Sequence, residues 1–291
     1  MRCNLCPRRC GADRAVAPGL CGAGTAARVA RSMLHPWEEP FISGTRGSGA
    51  LFFSGCNLGC VFCQNEPLKD GAFGQVYDAI ALSELFFSLQ SQGAHNINLV
   101  TPTPHVPVIR RALKIAKSAG LRIPVVYNTS AYERAETLRA LDGLVDVYLP
   151  DCKYVSRELS GRFSGAPDYF AFAAPAIAEM FRQVGALALD GNGLALRGLV
   201  IRHMVLPGCL DDSRRVLDFI ANHYPPETAV SLMRQYAPTP RAMRTPLNRV
   251  LTDREYDRSI SYALSLGLNN ILIQQKASAN LSFTPSFTDY K

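Results

Sequence analysis

The chain lacks the sequence features of membrane proteins and of nucleic-acid-binding proteins. No apolar run reaches the roughly 18 residues that a membrane-spanning helix needs, and the region around Cys3 and Arg8 contains no signal-peptide core. The 31 Lys and Arg residues exceed the 24 Asp and Glu residues only slightly, and the net charge of +7 is spread along the chain. We therefore expect a soluble, cytoplasmic protein with neither a membrane nor a nucleic-acid partner.

The chain also lacks the even number of cysteines that a disulfide framework would require. It has 9 cysteines and no recognisable secretion signal, so disulfide bonds are not expected. Most of the cysteines lie before residue 64 and are separated by short spacings. Metal binding or redox chemistry explains this clustering better than scattered core cysteines do.

Hydrophobic periodicity divides the chain into two parts. Residues 1–48 are rich in Gly, Pro, Arg and Cys and show little periodicity. Such a segment cannot build a core of its own and needs a staple such as a bound metal. We predict a Cys-rich, metal-binding N-terminal extension over residues 1–48 and a single larger domain over residues 49–291.

The larger domain alternates strand-like and helix-like patterns. The predicted strands, which are short and nearly continuously apolar, are 50–54, 97–101, 123–128, 145–151, 198–206, 229–235 and 270–274. Helical patterns lie between them, including one over 169–184 and others capped by Asp211 or Asp212 and by Asp253. This alternation predicts an α/β fold with parallel strands. Because there are too few units for an eight-fold barrel, we expect a partial (β/α)6-type barrel whose chemistry lies at the carboxyl ends of its strands.

Three cysteines follow the first predicted strand in the pattern C-x3-C-x2-C. They are Cys56, Cys60 and Cys63. A [4Fe-4S] cluster is ordinarily held by four thiolates, so three thiolates would leave one iron without a protein ligand. An open position of this kind can bind and activate a substrate, as it does in catalytic zinc sites. Gly55 and Gly59 allow the loop to wrap closely around a cluster.

This loop resembles that of the radical S-adenosylmethionine enzymes. The resemblance implies that the open iron of a [4Fe-4S] cluster binds S-adenosylmethionine. One electron then cleaves the sulfonium, and the 5′-deoxyadenosyl radical takes a hydrogen atom from a substrate. The chain is most similar to the pyruvate formate-lyase activating enzymes and to an activase-like group among them, as judged from five strand ends: 100–105, 127–130, 148–153, 201–208 and 231–236.

The resemblance to the activating enzymes implies a partner and an electron source. The expected reaction makes a glycyl radical on a partner protein, and the expected electron donor is of the flavodoxin or ferredoxin type. One alternative is a radical enzyme that acts on a small molecule or peptide in biosynthesis. A second alternative is a non-catalytic iron–sulfur or zinc scaffold, in which Cys152 or Cys209 would supply the missing fourth ligand.

Polar residues at the predicted strand ends suggest how a ligand is held. Asp151 and Lys153 are two positions apart on one strand and therefore face the same side, where they could pair or grip the charged ends of an amino acid. The resemblance implies that Asp151, Asn128 and Thr129 hold a cation near S-adenosylmethionine, with Asn128 in place of a family aspartate. It also places Arg202 near the ligand, where a guanidinium suits carboxylate capture.

The remaining candidate site residues also lie at strand ends. Thr101 and Thr103 stand where the activating enzymes carry a Gly-Gly-Glu stretch, and their oxygens are the expected replacements in binding S-adenosylmethionine. Tyr236 belongs to another of the matching strand ends and is expected near the cofactor. His203 is a candidate proton donor or substrate contact, and a structural role is the alternative. Asp151 and Lys153 complete the expected catalytic group.

A second group of cysteines precedes the first predicted strand. Cys3, Cys6, Cys10 and Cys21 are four thiols, which can close a tetrahedral structural zinc site. The same four thiols could hold an auxiliary iron–sulfur cluster. Free thiols on a loose tail are the third possibility. We call these four residues the N-terminal quartet.

Overall fold

The protein is described by a computed structural model that covers residues 2–279 and 285–287. Its strands form one ten-stranded sheet in the order β10-β9-β8-β6-β5-β4-β2-β1-β3, with β7 paired to β8. The strands are β1 Ala27–His35, β2 Ser48–Phe53, β3 Gln75–Tyr77, β4 Ile97–Val100, β5 Val125–Thr129, β6 Val147–Pro150, β7 Ala188–Leu189, β8 Ala195–Met204, β9 Ala229–Met233 and β10 Ile271–Ile273.

The predicted α/β partial barrel is confirmed. All seven predicted strands are present within a few residues, as β2, β4, β5, β6, β8, β9 and β10. Each neighbouring pair among them is parallel. Their carboxyl ends therefore meet at one edge of the sheet. Within the described residues the path ends at β10 and β3, which leaves the barrel open.

The helices connect these parallel strands. They are α1 Pro40–Ser43, α2 Ala79–Ser91, α3 Val106–Ser118, α4 Ala135–Arg139, α5 Arg157–Ser164, α6 Tyr169–Val184, α7 Leu210–His223 and α8 Asp253–Ser265. Two predicted caps were wrong. Thr252 caps α8 through a capping box with Glu255, and α7 has no side-chain cap. Asp212 instead accepts hydrogen bonds from the backbone of Val155 and Ser156.

The first strand lies inside the predicted N-terminal extension. The sequence did not predict β1, a nine-residue strand that pairs antiparallel with β2 from Val29 to His35. Its hydrogen bonds cross the predicted boundary at residue 48. The last part of the extension is therefore continuous with the sheet, and the residues before β1 form turns and loops apart from the Arg2–Asp13 bridge.

The two faces of the parallel sheet bury different clusters. The face toward the helices carries the main core, which includes Leu99, Tyr127 and Ile201. The inner face, here called the lumen face, carries a smaller apolar cluster around Val126 and Val200. Ile42 of α1 is fully buried in this smaller cluster. The short helix α1 therefore closes part of the lumen and fixes the residues just before it.

In the ranges 2–279 and 285–287, no helix combines the length and the apolar character that crossing a bilayer requires.

Candidate active site

The three-cysteine loop begins directly after β2 and is held by backbone hydrogen bonds. The amides of Gly55 and Cys56 donate to the carbonyls of Leu68 and Lys69 at 2.6 and 3.1 Å. The amide of Val61 donates to Phe163 O at 2.8 Å, at the end of α5. The loop is therefore fixed on two sides at the carboxyl edge of the sheet, where the barrel geometry predicts chemistry.

Hydrogen-bond donors point at the sulfur atoms of this loop. The amide of Leu58 donates to Cys56 Sγ at 3.4 Å, and the amide of Asn65 donates to the Cys63 sulfur. The hydroxyl of Ser164 donates to Cys60 Sγ at 3.0 Å. Donors of this kind stabilise metal-bound thiolates and orient them.

Burial and neighbouring cysteines raise the pKa values of Cys56 and Cys63. Burial raises the pKa of Cys56 to about 11, with a further rise from Cys60. Burial raises the pKa of Cys63 to about 12, with further rises from Cys60 and Cys56. Metals bind the thiolate form of cysteine. Deprotonation of these buried thiols therefore requires a cationic group that compensates the negative charge of the sulfurs. The three thiols of the loop and the hydrogen-bond donors aimed at their sulfurs fit an iron–sulfur cluster.

In the part of the chain that the structure describes, no three His, Cys, Asp or Glu side chains are grouped as ligands of one metal ion.

A segment after β9 supports the loop from the other side. The hydroxyl of Thr239 donates to Val61 O at 2.5 Å. The ring of Tyr236 packs edge-on against Phe62 with centroids 6.1 Å apart, and its hydroxyl donates to the carbonyl of Leu247. Tyr236 therefore lies next to the loop, and its polar group is engaged with the backbone. Its contacts position Phe62.

A charged cluster lies on the lumen face beside the loop. Arg202 of β8 donates from Nε to Asp151 Oδ1 at 2.8 Å and from Nη2 to Asn128 Oδ1 at 2.6 Å. Lys153 Nζ donates to Asp151 Oδ2 at 2.6 Å. The structure thus brings together four of the predicted residues, which come from β5, from β8 and from the segment that follows β6, the strand between them. We call these four residues the lumen cluster.

The charges in the lumen cluster stabilise one another. Burial alone would raise the pKa of Asp151, but Arg202 and Lys153 outweigh it and lower the pKa. Burial lowers the pKa of Lys153, and Asp151 outweighs this effect and raises the pKa. Lys153 also lowers the pKa values of Cys56 and Cys63 through its charge. Lys153 therefore joins the lumen cluster to the three-cysteine loop.

Two acidic residues next to the lumen cluster were not predicted from the sequence. Glu38 precedes α1, accepts a hydrogen bond from Asn98 Nδ2 at 2.9 Å and lies 3.4 Å from Arg202 Nη1. Burial, together with the charge of Glu38, raises the pKa of Glu39, although Arg202 lowers it. One Glu39 oxygen is buried without a hydrogen-bond partner among the described residues. The only available signal was a pair of adjacent acids between Trp37 and Pro40.

Two predicted cofactor ligands face away from the lumen. The hydroxyls of Thr103 and Thr129 donate to Glu133 Oε1 at 2.9 and 2.5 Å, and Tyr127 donates to Glu133 Oε2 at 3.2 Å. Tyr127 and Thr129 lie on the helix face of β5, opposite Asn128. The structure therefore separates these two threonines from the lumen cluster and joins them to a buried carboxyl that no sequence signal indicated.

His203 also lies on the helix face. Its two ring nitrogens contact Cys152 O at 2.8 Å and Ser213 Oγ of α7 at 3.0 Å. Burial lowers its pKa to about 4, so the ring is neutral near pH 7. The predicted catalytic role of His203 gains no support from these contacts, which give it a structural role between β8 and α7.

Thr101 remains at the edge of the site. It follows β4 with a φ of 62°, which is rare for a residue with a β-branched side chain. Its amide donates to Asn128 O at 3.0 Å, so its backbone is tied to a member of the lumen cluster. Unusual backbone conformations persist where the surrounding structure imposes them, and they are common at ligand sites.

The N-terminal quartet surrounds a cavity next to the three-cysteine loop. The cavity of about 20 Å³ is lined by all four thiols and by Asn57, which follows Cys56 in the loop. Arg8 donates from Nε to Asn57 O at 2.9 Å and stacks over the ring of Tyr132 at 5.2 Å. The quartet is thus a formed cluster in direct contact with the predicted catalytic loop.

A protein of known sequence resembles this chain along most of its length. No protein-family model matches the chain. The uncharacterized protein MJ0674 of Methanocaldococcus jannaschii is 29% identical over 280 residues, which cover 92% of this chain and 76% of that protein. No activity follows from that likeness.

Solved structures of one protein resemble the fold. SuiB of Streptococcus suis bound to the precursor peptide SuiA superposes with a TM-score of 0.51 and 16% identity, covering 74% of this chain and 46% of SuiB. SuiB bound to S-adenosylmethionine gives a TM-score of 0.49 at 15% identity, covering 74% of this chain and 47% of SuiB. The chain therefore spans less than half the length of SuiB, and the first likeness shows that the two proteins share a fold.

Proposed function

We propose that this chain is a radical S-adenosylmethionine enzyme. Cys56, Cys60 and Cys63 would hold a [4Fe-4S] cluster, and the lumen cluster would hold S-adenosylmethionine. The observation that carries the proposal is the position of a loop with three thiols beside Lys153 and Asp151 at the carboxyl edge of the sheet. When bound, the cluster and S-adenosylmethionine would together supply a 5′-deoxyadenosyl radical that removes a hydrogen atom from a substrate.

The residues of the lumen cluster have different roles in ligand binding. Arg202 already donates to Asp151 and Asn128 and lies near Glu38, so its guanidinium has few donors left for a ligand. Lys153 has three donors and a close bond to Asp151. We therefore assign the ligand carboxylate to Lys153. Asp151 would attract the ligand's positive groups, and Arg202 would position Asp151.

The proposed substrate is a polypeptide. The resemblance to activating enzymes favours a glycyl-radical protein, and the likeness to SuiB, whose structure contains a precursor peptide, favours a peptide. Either polypeptide would bind at the open side of the partial barrel. A ferredoxin- or flavodoxin-type protein would supply the electron, and the N-terminal quartet would bind a second metal.

The cofactor chemistry is tested with anaerobically reconstituted protein. After reduction with dithionite, the wild-type chain is expected to release 5′-deoxyadenosine and methionine in equal amounts. The variant with Cys56, Cys60 and Cys63 changed together to Ala should release neither. Cys209→Ala is the matched control, because Cys209 is a half-buried free thiol outside the loop.

The outcomes separate the radical enzyme from the non-catalytic scaffold and test the polypeptide substrate. Cleavage that survives the triple substitution contradicts the proposal. A wild-type chain that holds iron but cleaves no S-adenosylmethionine would favour the scaffold function, and loss of that iron in Cys209→Ala would identify Cys209 as the fourth thiolate. The polypeptide substrate is probed with a synthetic peptide that carries dideuterated glycine. Deuterium in the 5′-deoxyadenosine, detected by mass spectrometry, supports it, and unlabelled 5′-deoxyadenosine alone counts against that peptide class.

A further inference from the structure

The sulfurs of the three-cysteine loop accept hydrogen bonds from two kinds of donor. Those of Cys56 and Cys63 each accept from the backbone amide two residues later. The sulfur of Cys60 accepts from a side chain, the hydroxyl of Ser164, at 3.0 Å. A backbone amide is present whatever the residue type, whereas the bond at Cys60 exists because residue 164 carries a hydroxyl.

The backbone holds Ser164 beside Cys60. Ser164 is the last residue of α5 and is fully buried. The amide of Gly59 donates to Ser164 O at 3.2 Å, and the amide of Val61 donates to Phe163 O at 2.8 Å. These two hydrogen bonds come from the residues on either side of Cys60 in the chain. The end of α5 and the loop are therefore fixed against each other at the position where the hydroxyl meets the sulfur.

A second buried hydroxyl extends this contact. The hydroxyl oxygen of Tyr154 lies 3.0 Å from Ser164 Oγ, and Tyr154 is only 1% exposed. Its ring packs edge-on against Phe62 and Tyr169, with centroids 6.4 and 5.7 Å away. Aromatic contacts thus hold the Tyr154 ring on two sides. Tyr154, Ser164 and Cys60 form a chain of two hydrogen bonds that ends at the sulfur.

The chemistry of a metal-bound thiolate decides the direction of both hydrogen bonds. Such a sulfur has no proton and can only accept, so Ser164 must use its single hydroxyl proton on Cys60. The Ser164 oxygen is then left to accept the proton of Tyr154. Hydrogen bonds in series strengthen one another because each polarises the next. The donor at Cys60 is therefore stronger than an isolated hydroxyl.

A hydrogen bond of this kind acts on the charge of a bound iron–sulfur cluster. An added electron makes the cluster and its sulfurs more negative, so a donor stabilises the reduced form more than the oxidised form. Hydrogen bonds to the sulfurs and exposure to solvent are among the factors that set the reduction potential of such clusters. Because Ser164 and Tyr154 are buried, water does not readily replace a hydroxyl that is removed.

We propose that Ser164, supported by Tyr154, raises the reduction potential of the iron–sulfur cluster held by the three-cysteine loop. Both residues act through the Cys60 thiolate and are positioning residues for the electron-transfer step. In that step the cluster gains one electron from the ferredoxin- or flavodoxin-type donor, and no covalent bond is made or broken. The inference rests on the proposed function for the presence of the cluster but not on cleavage of S-adenosylmethionine.

A potentiometric titration of the reconstituted full chain, followed by electron paramagnetic resonance, tests the proposal. The signal of the loop is the one that the Cys56, Cys60 and Cys63 triple Ala variant lacks. Ser164→Ala should lower the equilibrium constant for reduction by about three- to tenfold, because only part of a charge-assisted hydrogen bond changes on reduction. Tenfold corresponds to a midpoint more negative by about 59 mV for one electron. Tyr154→Phe should shift the midpoint less, in the same direction, because Ser164 still donates.

Ser160→Ala is the matched control for Ser164→Ala. Ser160 lies one turn earlier in α5, is equally buried and donates its hydroxyl to Arg157 O at 3.2 Å. Its removal should leave the midpoint of the loop cluster at the wild-type value. A shift in Ser160→Ala as large as that in Ser164→Ala would overturn the proposal, because it would assign the shift to a general effect of losing a buried hydroxyl from α5.

The remaining outcomes separate this inference from the proposed function. A wild-type midpoint in Ser164→Ala would overturn the inference while leaving the proposed function intact. If Ser164→Ala takes up no cluster, Tyr154→Phe decides, and a wild-type midpoint in that variant would overturn the inference. The predicted shifts, together with a wild-type chain that cleaves no S-adenosylmethionine, would support the inference and contradict the proposed function. A wild-type chain without iron in the loop would contradict both.

Discussion

The lumen face and the helix face of the sheet carry polar residues that are neighbours in sequence but differ in role. Arg202 lies in the lumen with Asp151, whereas His203, the next residue, bonds to Ser213 behind the sheet. Asn128 contacts Arg202, whereas Thr129 contacts the buried Glu133. The alternation of side chains along a strand decides which of two adjacent polar residues can meet a ligand.

The two faces also differ in how their polar groups are satisfied. On the helix face, the Glu133 carboxyl pairs with three hydroxyls, and His203 pairs with a hydroxyl and a backbone carbonyl. In the lumen, the two cations of the lumen cluster lie among Asp151, Glu38 and Glu39, and one Glu39 oxygen has no partner among the described residues. An incompletely paired charged cluster is costly for folding, and such sites are commonly retained for binding or catalysis.

The largest expected effect is on stability, from breaking the central ion pair of the lumen. In Arg202→Met, Asp151 loses one of its two cations and Glu38 loses its only one among the described contacts. Because the Arg202 side chain is only 12% exposed, the free energy of unfolding should fall by about 3–5 kcal/mol. Urea unfolding of the apo chain measures this.

The matched control for Arg202 is a surface arginine that also pairs with two carboxylates. Arg182 contacts Asp142 and Glu179, but its side chain is 55% exposed. Arg182→Met should change stability far less, because water replaces its partners. Equal losses in the two variants would mean that the lumen cluster is no more strongly coupled than a surface pair.

The next effect concerns ligand affinity. Asp151→Asn should weaken S-adenosylmethionine binding to the reconstituted protein by roughly ten- to a hundredfold, because a charge-assisted hydrogen bond is worth about 1.5–3 kcal/mol. Asp212→Asn is the control, since Asp212 accepts backbone hydrogen bonds behind the sheet. Calorimetric titration should show wild-type affinity in this control, and wild-type affinity in Asp151→Asn would remove Asp151 from the ligand site.

A smaller effect is expected from the buried carboxyl on the helix face. In Glu133→Gln, a carboxyl that accepts three hydrogen bonds from hydroxyls becomes an amide with one acceptor oxygen and one donor nitrogen. The free energy of unfolding should fall by about 1–3 kcal/mol, and the ligand affinity should not change. A loss of affinity equal to that of Asp151→Asn would contradict the separation of the two faces.

The same carboxyl predicts a pH dependence. Burial raises the pKa of Glu133 above its usual value, although the hydroxyls of Thr129 and Thr103 oppose the rise. The stability that it contributes is therefore complete below its unfolded pKa and is lost as pH rises through the folded pKa. Relative to Glu133→Gln, the wild-type chain should lose unfolding free energy as the pH increases over this window. If the plots of unfolding free energy against pH are parallel for the two proteins, the pKa of Glu133 is not raised.

The smallest effect is expected at His203. His203→Gln should lower the free energy of unfolding by about 0.5–1.5 kcal/mol, which is the net value of a hydrogen bond. S-adenosylmethionine cleavage by the reconstituted protein should keep its rate. A folded variant that loses cleavage would restore the catalytic role predicted from the sequence.

Local patterns made much of the fold predictable. The continuous apolar runs predicted the parallel strands, because strands buried on both faces need continuous hydrophobic sequence. The sequence pattern did not predict the strand β1, because this segment contains Arg28, Arg31 and Ser32 among small residues. Its identity as a strand depends on pairing with β2, which a local pattern cannot register.

The candidate site was predictable only in part. Asp151 and Lys153 share a face through their spacing alone, and Arg202 could be added by resemblance. Glu38 could not be found, because it reaches Arg202 across 164 positions of sequence. Thr103 and Thr129 were assigned to the ligand because they lie at strand ends, and the direction of each side chain decided otherwise.

The sequence by itself determined the alternating strands and helices and the two sets of clustered cysteines, since these follow from residue type and spacing over short distances. Tertiary structure decided which polar side chains meet in the lumen, and it brought the N-terminal quartet into contact with the three-cysteine loop. The physical reason is that these contacts join segments distant in the chain. Arg8 and Gly165, for example, are 157 positions apart and lie within hydrogen-bond distance.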